Sequence, residues 1–183
     1  ELYNTLFEAW GFDPLPYYEE PPESPVSTPE LMEEYPYVLT TGARTWEYFH
    51  SEERQVPRLR ANHPDPLVDI HPDAAAKLGV CEGDWIWIEN MRGKCKQRVR
   101  INPSLKPDTV RGEHGWWFPE TEGASPNLFG VFDCNINNLT VQGVTGPTLY
   151  GAPYANQICK LYPVTKDNDM SVSELVVKTG KAK

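Results

Sequence analysis

An arginine, a histidine and a hydroxyl group follow closely after a short apolar run that ends in a glycine. The run Tyr37-Val-Leu-Thr-Thr leads into Gly42, and Arg44, His50 and Ser51 come next. Glycine allows the backbone to approach a ligand closely, and the planar guanidinium group of arginine suits phosphate oxygens. These residue types indicate binding of a phosphorylated or otherwise polar ligand. Taken alone, the local pattern favours a simpler interpretation, a tight turn with a surface arginine.

The negative charge of the chain is concentrated at its amino-terminal end. Residues 1–36 contain nine acidic residues and no lysine or arginine, which accounts for the whole formal net charge of −9. The remaining residues carry 17 acids and 17 bases. DNA and RNA require a concentrated positive surface, so nucleic acid is not an expected partner. A small anionic ligand needs only a local pocket, for which the weakly basic stretch 44–60 is suitable.

The spacing of the cysteines and histidines does not predict a metal site. A protein-built metal site or a redox dithiol requires closely spaced ligands, such as a Cys-x-x-Cys pair. We therefore expect buried free thiols and no metal ligand from this chain, and the sequence leaves open whether two cysteines pair in space. The cysteines are Cys81, Cys95, Cys134 and Cys159, and the histidines are His50, His63, His71 and His114.

The length of 183 residues allows one good-sized domain with an appendage. The chain begins with Glu1 rather than methionine, so we expect a processed chain or a piece of a longer protein. No apolar run approaches the roughly 18 residues that a membrane-spanning helix requires, and we expect no membrane contact. The compartment stays open between the cytoplasm and the periplasm of a prokaryotic-type cell.

The composition divides the chain into three parts. Residues 1–34 are acidic and proline-rich, which predicts an extended connector from a preceding domain, with one short helix that starts at Thr28 as N-cap. Residues 35–165 form the main domain, and residues 166–183 are a polar carboxy-terminal tail with a strand or short helix expected at 173–178.

The sequence pattern of the main domain predicts mostly β structure. Alternating apolar residues indicate strands, and a proline at the start with a glycine at the end indicates a compact helix. Trp117 and Phe118 are expected to lie in an aromatic core cluster. The predicted elements are helix 72–79, strand 84–89, hairpin turn 90–93, strand 94–101, a strand restarting at Val110, and strand 157–164.

Five blocks occur in an order that resembles a known family. The order resembles the C-terminal, molybdopterin-dinucleotide-binding domain of the dimethyl sulfoxide reductase family of molybdenum and tungsten oxidoreductases, over about residues 1–165. The blocks are the strand-Gly42-Arg44 loop, the Pro72 helix ending in Leu78-Gly79-Val80, Glu82-Gly83-Asp84 with the Arg92-Gly93 hairpin, His114-Gly-Trp-Trp-Phe-Pro-Glu120, and Asn135-Ile-Asn-Asn-Leu-Thr140.

The resemblance implies a mostly β fold, a double-psi β-barrel with a few short helices after the proline-rich connector. It also implies that the barrel contacts molybdopterin guanine dinucleotide carrying molybdenum or tungsten. The loop after the first strand would touch pterin and phosphates, and the amide of Asn137 would read a pterin edge. Carried over position by position, the cofactor contacts are Thr41, Gly42, Arg44, His50, Ser51, His71, Gly115, Trp116, Asn137 and Asn156.

The chain departs from the family pattern at two places. Ala43 is inserted into the usual Thr-Gly-Arg, which affects the orientation of Arg44. A lysine near the last strand is absent, and Asn156 or Gln157 would supply a weaker contact. A further residue, Asp69, has two interpretations, a contact to a nucleoside group or an ordinary helix cap.

The resemblance also assigns the chemistry to parts outside this chain. In such enzymes the metal-ligating residue and any iron–sulfur cysteines lie in earlier domains, so this chain would have no catalytic residue and no turnover alone. Its partners would be the preceding domains of the parent catalytic subunit, and an electron-transfer subunit is a further candidate.

Proteins of two other functional classes use the same barrel. A pyruvoyl-dependent decarboxylase requires a self-cleaving Gly-Ser pair, and the sequence contains none. A non-catalytic double-psi barrel that recruits a protein partner is the remaining alternative. That function would not require the combination of Gly42, Arg44, His50 and Asn137.

Overall fold

The centre of the molecule is a closed barrel of six strands. The structure, a computed structural model, describes residues 2–141 and 156–171. The strands are hydrogen-bonded in the order β1-β5-β2-β4-β3-β6, and β6 pairs with β1 to close the barrel. This architecture confirms the predicted barrel. The strands are β1 (Tyr37–Ala43), β2 (Leu67–Ile70), β3 (Trp85–Asn90), β4 (Gly93–Ile101), β5 (Thr109–Glu113) and β6 (Gln157–Pro163).

Strand directions determine which loops share an end of the barrel. β1 and β5 are parallel, with Leu39 opposite Val110, so the loops that follow both strands emerge at the same end. β2 is antiparallel to β5, with Asp69 opposite Arg111. The residues that follow β2 therefore lie towards the opposite end.

Short helices and 3-10 turns connect the strands. α3 has the predicted boundaries. It begins at Pro72 and ends before Gly79, whose left-handed φ of 71° suits glycine. No helix in the described part of the chain is long and apolar enough to cross a membrane. The α-helices are α1 (Thr5–Ala9), α2 (Pro57–Asn62), α3 (Pro72–Leu78) and α4 (Val131–Cys134), and the 3-10 helices are Pro29–Glu33, Leu128–Gly130 and Ile136–Leu139.

Several elements between residues 35 and 165 were not predicted, β2 and α2 among them. β2 is only four residues long and contains a charged residue, Asp69, whose burial depends on arginines from neighbouring strands. α2 also lay outside the predicted elements, although Pro57 occupies its first turn. The burial of Asp69 depends on arginines that are distant in sequence, and a local sequence pattern does not reveal those partners.

The amino-terminal segment is less extended than expected. α1 forms before the first proline of the segment, and the Asn4 side chain caps it by accepting from the amides of Leu6 and Phe7. The predicted helix near Thr28 is a 3-10 helix that begins at Pro29 with Thr28 at the N-cap position, as expected, but the Thr28 side chain makes no capping hydrogen bond. The Thr28 hydroxyl instead donates to the carbonyl of Ser24. The element expected at 173–178 lies outside the described residues.

Two apolar clusters form the core. The larger fills the barrel and includes Leu39, Ile86 and Val110. The smaller lies outside it and contains Tyr48, Trp116 and Cys134, with Leu59 and Phe118 packed against them.

All four cysteines are free, as expected. Cys95, Cys134 and Cys159 are buried, whereas Cys81 is exposed, which corrects the prediction for that residue.

Candidate functional site

The end of β1 contains one residue more than its partner strand. Thr40 lies opposite Arg111 and Ala43 lies opposite Glu113, so three steps along β1 match two steps along β5. A β-bulge absorbs an extra residue in this way and changes the direction of the side chains that follow it. Gly42, at φ 91°, lies within the bulge. The inserted Ala43 is therefore accommodated inside the strand, and Arg44 follows directly after it.

The loop after β1 meets the segment after β5, as the parallel pairing requires. The imidazole nitrogens His50 Nδ1 and His114 Nε2 are 3.2 Å apart. The indole Nε1 of Trp117 donates to the carbonyl oxygen of Ser51 at 2.6 Å. Two blocks separated by more than 60 residues thus form one continuous surface.

Gly115 lies at the closest point between these segments. Its φ is 71°, and a Cβ atom added there would lie 3.0 Å from the carbonyl oxygen of His50 and 3.1 Å from Cα of Ser51. Both distances are too short for an ordinary contact. Gly115 therefore permits a close approach between its own segment and the loop that contains His50 and Ser51.

Trp116 is fully buried in the smaller core cluster. Its ring packs edge-on against Tyr48, and the guanidinium groups of Arg54 and Arg60 lie 5.1 and 5.3 Å from its centroid. Its carbonyl oxygen accepts from Asn135 Nδ2 at 3.2 Å. The Trp116 side chain is therefore not exposed, and the residue supports the surface by packing against its neighbours.

The expected aromatic cluster contains Phe118 but not Trp117 as a full member. Phe118 packs against Trp116, whereas the half-buried Trp117 contacts Phe129 at a ring distance of 5.5 Å.

Asn137 and Asn156 approach the same region from two other segments. Asn137 lies in the 3-10 helix Ile136–Leu139, its amide nitrogen donates to Asn135 Oδ1 at 3.0 Å, and its own side chain is exposed. Asn156 precedes β6, and the pairing of Gln157 with Leu39 places Asn156 alongside the second half of β1. Gln157 itself is buried and accepts from Arg92, so it is engaged inside the fold.

His71 lies apart from the other predicted contacts. It follows β2, towards the opposite end of the barrel, and its Nδ1 accepts from the amide of Asp73 as the N-cap of α3.

The interpretation of Asp69 as a helix cap was wrong, because Asp69 is buried within β2 and pairs with Arg100 and Arg111. Burial raises the pKa of its carboxyl group, but the hydrogen bonds from both arginines outweigh burial and hold that pKa below its usual value.

The basic stretch 44–60 contains exposed and internal arginines. Arg44 is exposed and has no acidic partner among the described residues, and Arg58 is also exposed. Arg60 pairs with Glu120 at 2.9 Å. Arg54 is only 1% exposed and lies 3.8 Å from Glu113.

A buried polar network behind the loop was not predicted. Glu113 Oε2 lies 2.8 Å from His63 Nε2 and accepts from the amide of Leu67 at 3.0 Å. The Gln97 side chain donates through Nε2 to the backbone carbonyl oxygen of Glu113 and accepts through Oε1 from the backbone amide of Glu113. The tyrosine hydroxyl of Tyr48 donates to the carbonyl oxygen of His63. Glu113 directly precedes His114 in the sequence, but nothing in the local pattern indicates its burial.

The residues at this end of the barrel fit an anionic, polar ligand. Thr45 Oγ1 is buried with no hydrogen-bond partner in the described part of the chain, which leaves a polar atom for an outside group. A Cβ added at Gly42 would meet nothing within 4 Å, so space is open beside the bulge. The exposed guanidinium of Arg44 and the exposed amide of Asn137 supply donors that suit phosphate and a heterocycle edge.

Comparisons with known proteins agree with this chemistry. The sequence profile of the family described as "Molydopterin dinucleotide binding domain" matches residues 37–157. Acetylene hydratase of Syntrophotalea acetylenica is 43% identical over 129 residues, which cover 70% of this chain and 18% of that protein. Dopamine dehydroxylase of Eggerthella lenta is 41% identical over 172 residues, which cover 92% of this chain and 16% of that protein.

A solved structure has the same fold. Acetylene hydratase from Pelobacter acetylenicus superposes with a TM-score of 0.80 at 36% identity, covering 90% of this chain and 23% of that one. The chain thus spans less than a quarter of the length of each of these relatives. The profile match extends from β1 to the start of β6 and includes every block of the candidate site. The chain belongs to the molybdopterin-dinucleotide-binding domain family.

Proposed function

We propose that this chain binds molybdopterin guanine dinucleotide within a larger molybdenum or tungsten oxidoreductase that carries out two-electron redox chemistry. The observation that carries the proposal is the convergence of the bulged end of β1 with the segment after β5, where His50 lies 3.2 Å from His114. The family match does not favour the alternative of a barrel that only recruits a protein partner.

Each residue of the proposed shell has a defined task. The guanidinium of Arg44 binds phosphate oxygens, and Gly42 leaves the space that they require. Thr41, Thr45 and Ser51 add hydroxyl groups, and the loop 44–51 is held against Gly115. Trp116 contributes by packing beneath the loop, and His71 is left outside the shell because it caps α3 at the other end.

The two asparagines complete the shell. The side-chain amide of Asn137 offers a donor and an acceptor together, which suits the edge of a pterin ring. The amide of Asn156 takes the place of a charged lysine and gives a weaker contact. When bound, the cofactor supplies the two-electron chemistry through its metal, and this chain's residues orient it and exclude water from one side.

Other parts of the parent protein have to supply the remaining functions. We place the metal-ligating residue and an iron–sulfur cluster in the preceding domains, and an electron-transfer subunit beside them. The similarity to proteins several times longer than this chain supports a larger parent.

The test is the substitution Arg44→Ala in the full-length parent protein, with Arg58→Ala as the matched control because Arg58 is also an exposed arginine on the same stretch. We expect Arg44→Ala to lower the content of molybdenum or tungsten and of guanine nucleotide by about tenfold, since a charge-assisted phosphate contact is worth about 1.5–3 kcal/mol. Metal is measured by mass spectrometry and nucleotide by acid release. Unchanged contents in Arg44→Ala alongside an unchanged control would refute the assignment.

A second candidate activity is hydration. The likeness to acetylene hydratase, at 43% identity in sequence and 36% in the structural superposition, supports a parent that adds water to an unsaturated substrate. Substrate consumption by the purified parent without any electron donor or acceptor would favour hydration. Consumption that strictly requires a donor or acceptor would favour redox chemistry.

A further inference from the structure

Arg54 is a buried charge whose hydrogen bonds all go to the backbone of the two segments that form the site. Its Nη1 donates to the carbonyl oxygens of His50 and, at 2.9 Å, of Glu52. Its Nη2 donates to the carbonyl oxygen of His114 at a longer distance of 3.4 Å. One guanidinium group therefore bridges the loop after β1 and the segment after β5.

The surroundings of Arg54 hold the guanidinium in one orientation. Its central carbon lies 4.4 Å from the ring centroid of Tyr48 and 5.1 Å from that of Trp116. Glu113, 3.8 Å away, supplies the opposite charge and is itself anchored to His63. A planar, rigid donor group in such a setting determines the positions of the carbonyl oxygens that it contacts.

The backbone that Arg54 contacts adopts a conformation that it would not prefer alone. His50 has φ 50° and Glu53 has φ 72°, and neither is a glycine. Left-handed residues of this kind cost about 1–2 kcal/mol each and persist only when the surrounding structure enforces them. The two carbonyls that accept from Arg54, those of His50 and Glu52, lie within this strained stretch.

We propose that Arg54 is a positioning residue for cofactor binding: it clamps the loop 44–53 into its strained shape and so presents Arg44, His50 and Ser51 to the dinucleotide. This inference rests on the proposed function. It also separates Arg54 from Arg44, because Arg54 is buried and donates to backbone carbonyls, whereas Arg44 is exposed.

The test compares Arg54→Lys with Arg60→Lys in the full-length parent protein. Both changes keep the positive charge and remove a planar group that lies about equally far from the Trp116 ring. Arg60 donates to Glu120 but has no backbone acceptor among the described residues, so it is the matched control.

Amide hydrogen exchange and cofactor content are measured on the same samples. We expect Arg54→Lys to speed exchange of amides 48–53 by about tenfold, as the loss of a buried hydrogen bond would, and to lower molybdenum or tungsten and guanine-nucleotide content several-fold. Amides of β3 and β4 should exchange at the wild-type rate, and Arg60→Lys should resemble the wild type.

The two readouts keep the clamp distinct from the proposed function. Unchanged exchange in the loop of Arg54→Lys overturns the clamp. Faster exchange with full cofactor content overturns its role in binding. A wild-type protein that contains no pterin nucleotide refutes the proposed function, while the exchange comparison still decides whether Arg54 holds the loop.

A second variant covers the case in which Arg54→Lys fails to fold. Glu113→Gln removes the opposite charge but keeps an acceptor for His63 and the amide of Leu67. We expect it to speed exchange in 48–53 relative to the wild type, with β3 and β4 protected. Wild-type exchange in that loop would contradict the clamp.

Discussion

Arg92, in the hairpin between β3 and β4, forms a bidentate ion pair with the carboxylate of Glu23 through both of its terminal nitrogens, at 2.5 and 2.7 Å. The same guanidinium donates to the carbonyl oxygen of Leu139 at 2.7 Å and to Gln157 at 2.8 Å. Arg92 thus connects Glu23, in the acidic amino-terminal segment, to the 3-10 helix Ile136–Leu139 and to the start of β6. Bidentate pairing of this kind is stronger than a single surface ion pair.

Loss of the Glu23 carboxylate should release the amino-terminal segment. Glu23→Gln cannot form the charged bidentate pair, and we expect amide exchange across 23–28 to rise by roughly tenfold. Glu30→Gln is the control, because Glu30 is an exposed acid of the same segment. Equal exchange in both variants would show that Glu23 does not hold the segment.

Asp69 should make the protein sensitive to acid. Because its pKa is held below the usual value of 3.8, its stabilisation is fully present above about pH 4 and is lost as pH falls through the lowered value. Asp69→Asn should lower the free energy of unfolding by about 1–3 kcal/mol at neutral pH and flatten the decline below about pH 4.

Urea unfolding from pH 2.5 to pH 7 measures this effect. Asp167→Asn serves as the control, since Asp167 is exposed and pairs with no arginine among the described residues. A decline in Asp69→Asn as steep as in the wild type would contradict the assignment.

Gly115 and Gly79 allow backbone strain to be separated from crowding. Both have φ 71°, but a Cβ at Gly79 meets nothing within 4 Å, whereas one at Gly115 meets the His50 carbonyl at 3.0 Å. We expect Gly79→Ala to lower the unfolding free energy by about 1 kcal/mol and Gly115→Ala by about 2–4 kcal/mol. Equal losses in chemical denaturation would mean that the loop yields freely to the added methyl group.

The four thiols should differ in reactivity. Burial raises the pKa of Cys95, Cys134 and Cys159, which suppresses their thiolate forms and blocks reagents, whereas Cys81 is exposed. A thiol-reactive chromophore should modify one thiol rapidly in the native 183-residue chain and four after denaturation. The fast phase should disappear in Cys81→Ser, and its persistence would show that a buried thiol is accessible.

Local sequence determined those parts of the molecule whose causes are local. Pro72 and Gly79 mark the two ends of α3, because one lacks an amide proton and the other tolerates left-handed φ. Alternating residues predicted β4, since side chains on a strand alternate between core and solvent, and the apolar run Trp85-Ile-Trp-Ile88 predicted β3. The order of the five blocks was sufficient to identify the barrel and its cofactor class.

Only the tertiary structure decided how these pieces act together. Arg54 and Arg44 are alike in sequence, but one is a buried clamp and the other is exposed, because Glu113 and the carbonyl of His114 reach Arg54 from a distant strand. The insertion of Ala43 became a bulge because β5 fixes the register on either side of it. The free energy of a buried charge or a bulge depends on partners far along the chain, and a local pattern does not contain those partners.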